Sequence, residues 1–509
     1  LRQAWGKARW VAFSLVFFGM IWVYAPRNLA YLGGDSAQYI ILAESLAHGN
    51  GYHAVNYPGA PFFYHYPPVF PLLLTPIIYF FGRNFFLMHF MVALCGYGAL
   101  LTFFILFKKF SDDTTAFVAM VFTAVSVPFV MYALRYILSD VVFLFFAAQA
   151  FFWFVRYLEK DHALNMEAFL TLIFFNLAYF TRYAGLTVFL SAFLVLVFFA
   201  TLNKNKKIML LLAGVAVPVL LWQMICHLFN PGSVGRYMHQ FAGDSGPQSL
   251  FKVGGNMLYY AMSLGAGIFG YIFDLFGNLA GDIFLLLTAI AAIFGIVAVV
   301  RFGRGWLFFI YFLIYFLLIA VWPFGYGYGN TLETMRFSLP LVPFLCFFIA
   351  HGLYSLKKNL PSRGYNIFLW SYILMILFAF TFSLRNMEPW HQSLGPNGKD
   401  FIRANQWIAQ NGKPGAIVLS RKDALSYFYS GHQAIVYPYS RDVDKIWRTI
   451  IDNHVRYIVV DSISSETLDF LVPAIMAHKE SIKPVYLLSN AAVFEVINYP
   501  VVAGKAGDK

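Results

Sequence analysis

The sequence predicts an α-helical integral membrane protein of about eleven transmembrane helices, followed by a C-terminal extracytoplasmic α/β domain. Three observations predict it. First, 60% of the 509 residues are hydrophobic and 20% aromatic, and they gather into long apolar runs down the first three quarters of the chain. Each run is long enough to cross a hydrocarbon core roughly 30 Å thick as a helix, the form in which a single segment satisfies its own backbone in lipid. Second, the net charge of +12 sits in clusters between the runs: Arg2/Lys7/Arg9, Lys108-Lys109, Lys204/Lys206-Lys207, Arg301/Arg304 and Lys357-Lys358. This is the positive-inside pattern, which sets topology, so the charge does not call for a nucleic-acid partner. Third, the composition changes after Leu384, where short runs rich in Ile and Val alternate with amphipathic stretches.

With the basic clusters in the cytoplasm, the spans fall near 10–25, 84–107, 115–133, 137–157, 166–180, 184–202, 207–228, 283–300, 306–322, 336–355 and 365–383. The N-terminus is then cytoplasmic and the C-terminus outside, in a plasma (inner) membrane crossed many times. The first run has no small-residue cleavage site and reads as a retained span. Pro67–Phe81 is apolar but short and holds Pro67, Pro68, Pro71 and Pro76. A crossing there would move every later basic cluster to the outside, so the segment is placed as an interfacial helix.

Two long outer loops result, 26–83 and 229–282, and the inner loops are too short for a nucleotide-binding domain. The expected domains are a membrane domain, 1–384, with its large first outer loop 26–83, and an α/β domain, 385–509. In the latter, strands are expected at 416–420, 433–438, 456–461 and 485–489, and helices at 422–429, 442–454 and 465–479, giving a mostly parallel sheet. Cys95, Cys226 and Cys346 all lie in apolar runs, so no disulfide framework is implied. No internal repeat is visible, which weighs against a transporter built from paired halves.

Residues able to carry chemistry concentrate in the outer loops. Asp35, in Gly33-Gly34-Asp35-Ser36-Ala37-Gln38-Tyr39, is the first acidic residue of the chain and follows the first span. With Gln38 three residues on it fits a capping box, and next to the membrane it equally fits a catalytic carboxylate. Glu44 lies nine residues further, half a turn out of phase on a helix, so acid–base chemistry here rests on Asp35 alone. Arg135, Arg182 and Arg336 each stand at an outer span end, where basic residues are depleted. Singly, each has an ion-pair reading with Asp140 or Glu333. Together they point to a phosphate, which the planar guanidinium fork binds well. His65-Tyr66-Pro67-Pro68 shares the loop with Asp35, and one His with one Asp is an incomplete ligand set, so no metal is expected. Arg236, beside Tyr237 and near His239, either lines an acceptor path or is solvated. Gly325–Gly329 lacks the strand-to-helix setting of a phosphate loop and reads as an outer turn.

In their order and shared outward placement, these residues resemble the lipid-dependent glycosyltransferases of the GT-C fold, in particular bacterial relatives of the protein O-mannosyltransferases and of the lipid A aminoarabinose transferase. The resemblance rests on Gly34-Asp35-Ser36 with Tyr39, Tyr66-Pro67-Pro68, Arg135 with Ser139-Asp140, Arg182-Tyr183, and Arg336 with Leu339-Pro340 and Pro343. Ser420-Arg421-Lys422 and Tyr427–Gly431 look like the soluble tail of many bacterial members. The resemblance implies a sugar donor on a polyprenyl phosphate; the expected partners are that donor, a glycan, lipid or protein acceptor and membrane lipids, and no cofactor is expected. It implies Asp35 as the base; taken with the reading of the residues, Arg135, Arg182 and Arg336 are expected on the donor phosphate, and Tyr39, His65, Tyr66, Asp140, Tyr183 and Arg236 as substrate contacts. One base acting in one displacement inverts the anomeric centre. The chain departs from the mannosyltransferases in having Asp35-Ser36 where they carry an Asp-Glu pair. It departs from the lipid A branch in having His65-Tyr66 where that branch has an acidic-basic pair.

Two rival readings stand beside this one. A transporter or flippase of lipid-linked sugars requires essential polar residues inside the spans, for which Asn176 and Gln223 are the candidates. A binding module on a membrane anchor makes the α/β domain the functional part, but needs far fewer spans.

Overall fold

An apolar run in lipid has no water to satisfy its amides, so it coils and bonds to itself. The apolar part of the chain is accordingly helical. A computed structural model of the protein describes residues 2–29, 33–160, 165–199, 206–229, 250–268, 272–301, 305–321, 331–356, 362–385, 387–463 and 465–499. The chain divides into a first unit of Leu1–Pro26, Tyr64–Phe70 and Phe86–His391, and a second of Arg27–Phe63, Pro71–Phe85 and Gln392–Lys509. The second unit thus joins most of the first long loop to the C-terminal segment.

The first unit contains α1 (Arg2–Tyr24), most of α4 (Phe85–Lys108), α5 (Asp113–Val125), α6 (Val127–Leu134), α7 (Ser139–Leu158), α8 (Met166–Thr181) and α9 (Gly185–Phe199). It continues through α10 (Lys206–Phe229), α11 (Leu250–Ile268), α12 (Ile272–Arg301), α13 (Trp306–Val321), α14 (Thr331–Ser338), α15 (Val342–Leu356) and α16 (Ser362–Arg385). Among the described residues, Phe85–Lys108, Ser139–Leu158 and Met335–Leu356 are long and apolar enough to cross a membrane. The single span expected over 115–133 is instead two helices, α5 and α6, bent by 63°. Ser126 sits at the break in an extended conformation, and Pro128 starts the second helix. Pro76 and only 13 residues keep α3 (Val69–Phe81) to about 20 Å, too short to cross.

Packing in this unit is aromatic, with small residues where helices meet. Phe107 stacks on Phe347 at 4.3 Å between ring centres, and Phe103, Phe151, Phe308 and Tyr311 surround Phe344. Helices α12 and α15 share the most extensive contact. A Cβ on Gly295 would lie 1.8 Å from the Phe348 carbonyl oxygen, and one on Gly352 would lie 1.8 Å from that of Ala291. Glycine is required at both places because the two backbones touch, as small residues permit in lipid.

Ion pairs collect at one end of the bundle. Asp113 accepts from Arg9 and, at 2.9 Å, from Lys108. Lys109 pairs with Glu159, and Glu167 takes both Lys160 and Arg156. These pairs join the N-termini of α1, α5 and α8 to the C-termini of α4 and α7.

In the second unit, α2 (Asp35–Ala47) and α3 precede α17 (Pro396–Asn411), β1 (Ile417–Leu419), α18 (Asp423–Ser430), β2 (Ala434–Ile435), α19 (Val443–Asp452), β3 (Val455–Asp461), α20 (Val472–Ala477), β4 (Ile482–Leu487) and β5 (Ala491–Val496). The sheet order is β2-β1-β3-β5-β4. The first three strands run parallel, but β5 is antiparallel to both neighbours, so the sheet is mixed and not mostly parallel. The cause is a tight turn at Ser489-Asn490, where the Leu488 amide donates to the Ala491 carbonyl (2.9 Å) and folds the chain back as a hairpin. Trp447, Ile446, Ile450, Val455 and Ile458 centre its core.

The close approach of α12 and α15 is directly testable. Gly352→Val is expected to cost about 1–3 kcal/mol by overpacking, read as a lower melting temperature in detergent. Gly254→Ala, whose Cβ meets nothing within 4 Å, is the control that keeps the wild-type temperature. An unchanged Gly352→Val protein would contradict the packing described.

Candidate functional site

Helix ends carry partial charge, positive at the N-terminus and negative at the C-terminus. Asp140 lies in the first turn of α7, Arg336 in the last turn of α14, and Arg182 directly caps α8. Each side chain therefore has the sign its helix end favours. Asp140 is 1% exposed. Its Oδ1 accepts from Arg182 Nη1, and its Oδ2 accepts from Arg336 Nε at 2.9 Å. Arg336 is buried, while the Arg182 side chain keeps 18% of its surface. One carboxylate between two guanidiniums gives the triad a formal charge of +1. Arg182 has five N–H groups and donates Nη1 to Asp140, so the rest of its fork is available to an anion.

The turn between α8 and α9 aims Arg182. Gly185 N donates to Arg182 O (2.8 Å), and a Cβ on Gly185 would lie 2.5 Å from the Tyr179 amide nitrogen. Only glycine lets α9 start so close to the end of α8. Tyr183, next in the turn, donates its hydroxyl to the Tyr64 carbonyl (2.7 Å) and accepts from Trp222 Nε1 (3.2 Å). This ties the turn to the segment holding His65 and Tyr66, which are half-buried; the His65 ring lies 4.4 Å from that of Tyr64. Tyr315 of α13 is buried in the field of Arg182, Asp140 and Arg336. Sequence reading passed over it, although Tyr311 and Tyr315 put two hydroxyl-bearing rings one turn apart in an otherwise apolar helix.

Arg135 does something different. It caps α6, and its Nη1 donates to the carbonyls of Tyr24 (3.0 Å) and Glu388 (2.7 Å) while Nη2 donates to that of His391 (3.1 Å). The structure thus brings two of the three arginines together on Asp140 and engages the third with backbone. Asn176 donates to the Leu172 and Gly214 carbonyls, and Gln223 to the Tyr179 hydroxyl (2.7 Å), so both mid-span amides join helices within the bundle. Arg236, Gly325–Gly329 and the side chain of Glu333 lie outside the described residues.

Asp35 is the first residue of α2 in the second unit and is half-buried. The capping box is not formed. Gly34, at φ 93°, is the N-cap, and Gln38 exchanges two hydrogen bonds with Asn56 (3.4 and 3.2 Å). Tyr39, one turn on, is buried. At the far end of the helix, Glu44 binds Arg83 (Nη2 to Oε2, 2.9 Å), which holds the guanidinium above its usual pKa. Among the described residues, no group of three or more His, Cys, Asp or Glu side chains is placed to hold a metal ion.

The family model described as dolichyl-phosphate-mannose-protein mannosyltransferase matches residues 65–222, which include His65, Arg135, Asp140 and Arg182. Comparison with proteins of curated function gave no match. Among solved structures, ArnT from Cupriavidus metallidurans matches over 97% of this chain and 98% of its own, at 14% identity and a TM-score of 0.62 in the apo state. The same enzyme bound to undecaprenyl phosphate matches equally well, at 13% identity. The oligosaccharyltransferase AglB from Archaeoglobus fulgidus, with an inhibitory peptide and a dolichol-phosphate, matches over 98% of this chain and 75% of its own, at 12% identity and a TM-score of 0.60. The chain is a helical membrane protein with the GT-C fold.

Removing the shared carboxylate should be costly. Asp140→Asn leaves two guanidiniums facing each other and is expected to destabilise the protein by about 3–5 kcal/mol, with Arg182→Gln in the same chain recovering part of the loss. Thermal unfolding of the three variants reads this, and a wild-type melting temperature for Asp140→Asn would show that the triad is not structural.

Proposed function

We propose that the chain is a glycosyltransferase that moves a sugar from a polyprenyl-phosphate donor to an acceptor hydroxyl on the extracytoplasmic face, with inversion. The observation that carries this is the Arg182–Asp140–Arg336 triad. It is buried, positively charged and placed at the end of α7 opposite the basic ion pairs. A helix of 20 residues separates those two ends by about 30 Å, one hydrocarbon thickness, which supports an outward-facing triad in a chain whose basic end is cytoplasmic. The full reading keeps about eleven spans, a cytoplasmic N-terminus and an extracytoplasmic C-terminal domain.

In the reaction the acceptor oxygen attacks the anomeric carbon as the bond to the phosphate oxygen breaks, and the phosphate leaves with the electron pair. Charge grows on that phosphate, and Arg182 and Arg336 stabilise it. The acceptor proton passes to Asp35, which stands half-buried at the start of α2. Asp140 acts through the arginines by fixing both forks. Arg135 holds the end of α6 to the chain around Glu388 and His391, so its role is positioning. The fold similarity to enzymes seen with undecaprenyl phosphate and dolichol-phosphate supports the donor class. The engagement of Asn176 and Gln223 within the bundle speaks against a flippase.

Purified protein in lipid, offered a panel of polyprenyl-phosphate sugars and acceptor extracts, should convert one donor to free lipid phosphate. Asp35→Asn should lower kcat by about 10²–10⁴-fold with donor binding kept. Arg182→Gln should raise the donor KM instead, and the product anomer should be inverted. Tight binding without turnover of any lipid would favour the flippase, and retention of configuration would exclude the single-base scheme.

A further inference from the structure

Asp35 follows a glycine at φ 93°, a conformation that lets the chain turn sharply into α2 but does not by itself hold it there. The restraint comes from elsewhere in the second unit. Lys422 Nζ donates to the Gly33 carbonyl (3.2 Å), two residues before Asp35. Tyr429, two turns further along the same segment, donates its hydroxyl to the Leu29 carbonyl (2.9 Å). These two bonds grip the approach to Asp35 on both sides of residues 30–32.

The grip itself is anchored. Lys422 caps α18, and its amide donates to the Oγ of Ser420 (3.2 Å), a buried residue whose own amide donates to the Ile435 carbonyl at the sheet edge. Asp423 receives a hydrogen bond from Tyr57, and burial raises its carboxyl pKa. Arg83 closes the far end: it donates to the Phe428 carbonyl (3.3 Å), stacks on the Phe428 ring at 4.2 Å and binds Glu44 of α2. Helix α18 therefore reaches α2 near both ends, through Gly33 and through Arg83.

We propose that Lys422 is a positioning residue for Asp35, and that α18 of the C-terminal segment is the brace that sets the base for proton transfer. The inference rests on the role proposed for Asp35. The bonds from Lys422 to Gly33 and from Tyr429 to Leu29 end on backbone carbonyls, and through them the brace orients the turn. A long cationic side chain suits this, because it spans from the sheet edge to a carbonyl with a charge-assisted bond.

The test is steady-state transfer by the full chain in lipid. Lys422→Met should lower kcat by about ten- to a hundredfold, as a misplaced catalytic group does, and leave the donor KM unchanged. Lys422→Arg, which keeps a cationic donor, should recover most of the rate. Asp35→Asn/Lys422→Met should be no slower than Asp35→Asn, because a brace has nothing left to position. Wild-type kcat in folded Lys422→Met, or a further full loss in the double variant, would overturn the proposal. If Lys422→Met does not fold, Tyr429→Phe should show the same kcat-only loss, and wild-type kcat there would overturn it as well. An Asp35→Asn protein as fast as wild type would instead defeat the base assignment, and the brace with it.

Discussion

Asp140 holds two arginines that come from helices far apart in the sequence, and the first unit is arranged so that they can meet. Three helix ends converge there: the start of α7 and the ends of α8 and α14. Burying one carboxylate between two guanidiniums is tolerable only when every charge has a partner in good geometry, because desolvation of each ion is expensive. The matched helix dipoles lower that cost, and the Gly185 turn sets the place of Arg182. The triad carries a formal charge of +1, and on the topology proposed above it lies at the outer end of the bundle, where positive charge is depleted. That combination is what an anionic lipid headgroup would complete.

The second unit solves another problem, that of holding Asp35, the proposed base, at the start of a helix within the first long loop. Loops position chemistry only when a rigid element supports them. Here the C-terminal sheet supplies the support, with Gln433 donating to the Val55 and Tyr57 carbonyls and Ala434 to that of Asn56. Asn56 in turn engages Gln38 on α2. The link between the first loop and residues more than 300 positions later is thus made of specific backbone contacts.

The helical, apolar part of this architecture was legible in the sequence, because apolar length is a local signal. The parallel strands β1 and β3 and helices α18 and α19 were likewise readable from their alternation. The fifth strand was not, since Asn490 and the run from Ala491 to Val496 follow β4 with only a two-residue turn to mark the reversal. The break at Ser126 escaped for a similar reason: a run long enough to span gives no hint that its middle is bent by 63°. At the site, the sequence groups Arg135, Arg182 and Arg336 and offers Asp140 as an ion-pair partner, yet which of them meet on it depends on helix order in space. Arg135 carries the same chemical signal as the other two arginines, and only tertiary structure distinguishes a fork engaged with carbonyls from one facing a carboxylate. Lys422 was visible only as part of a tail, because its target, the Gly33 carbonyl, leaves no mark in the sequence.

The account stands or falls on whether the triad takes a lipid phosphate. Binding of a polyprenyl phosphate and of the matching polyprenol, followed by native mass spectrometry on wild type and Arg182→Gln, addresses this most directly. The account predicts that wild type retains the phosphate lipid and not the alcohol, and that Arg182→Gln loses the preference while keeping its fold. Equal retention of the phosphate lipid by both proteins would contradict it.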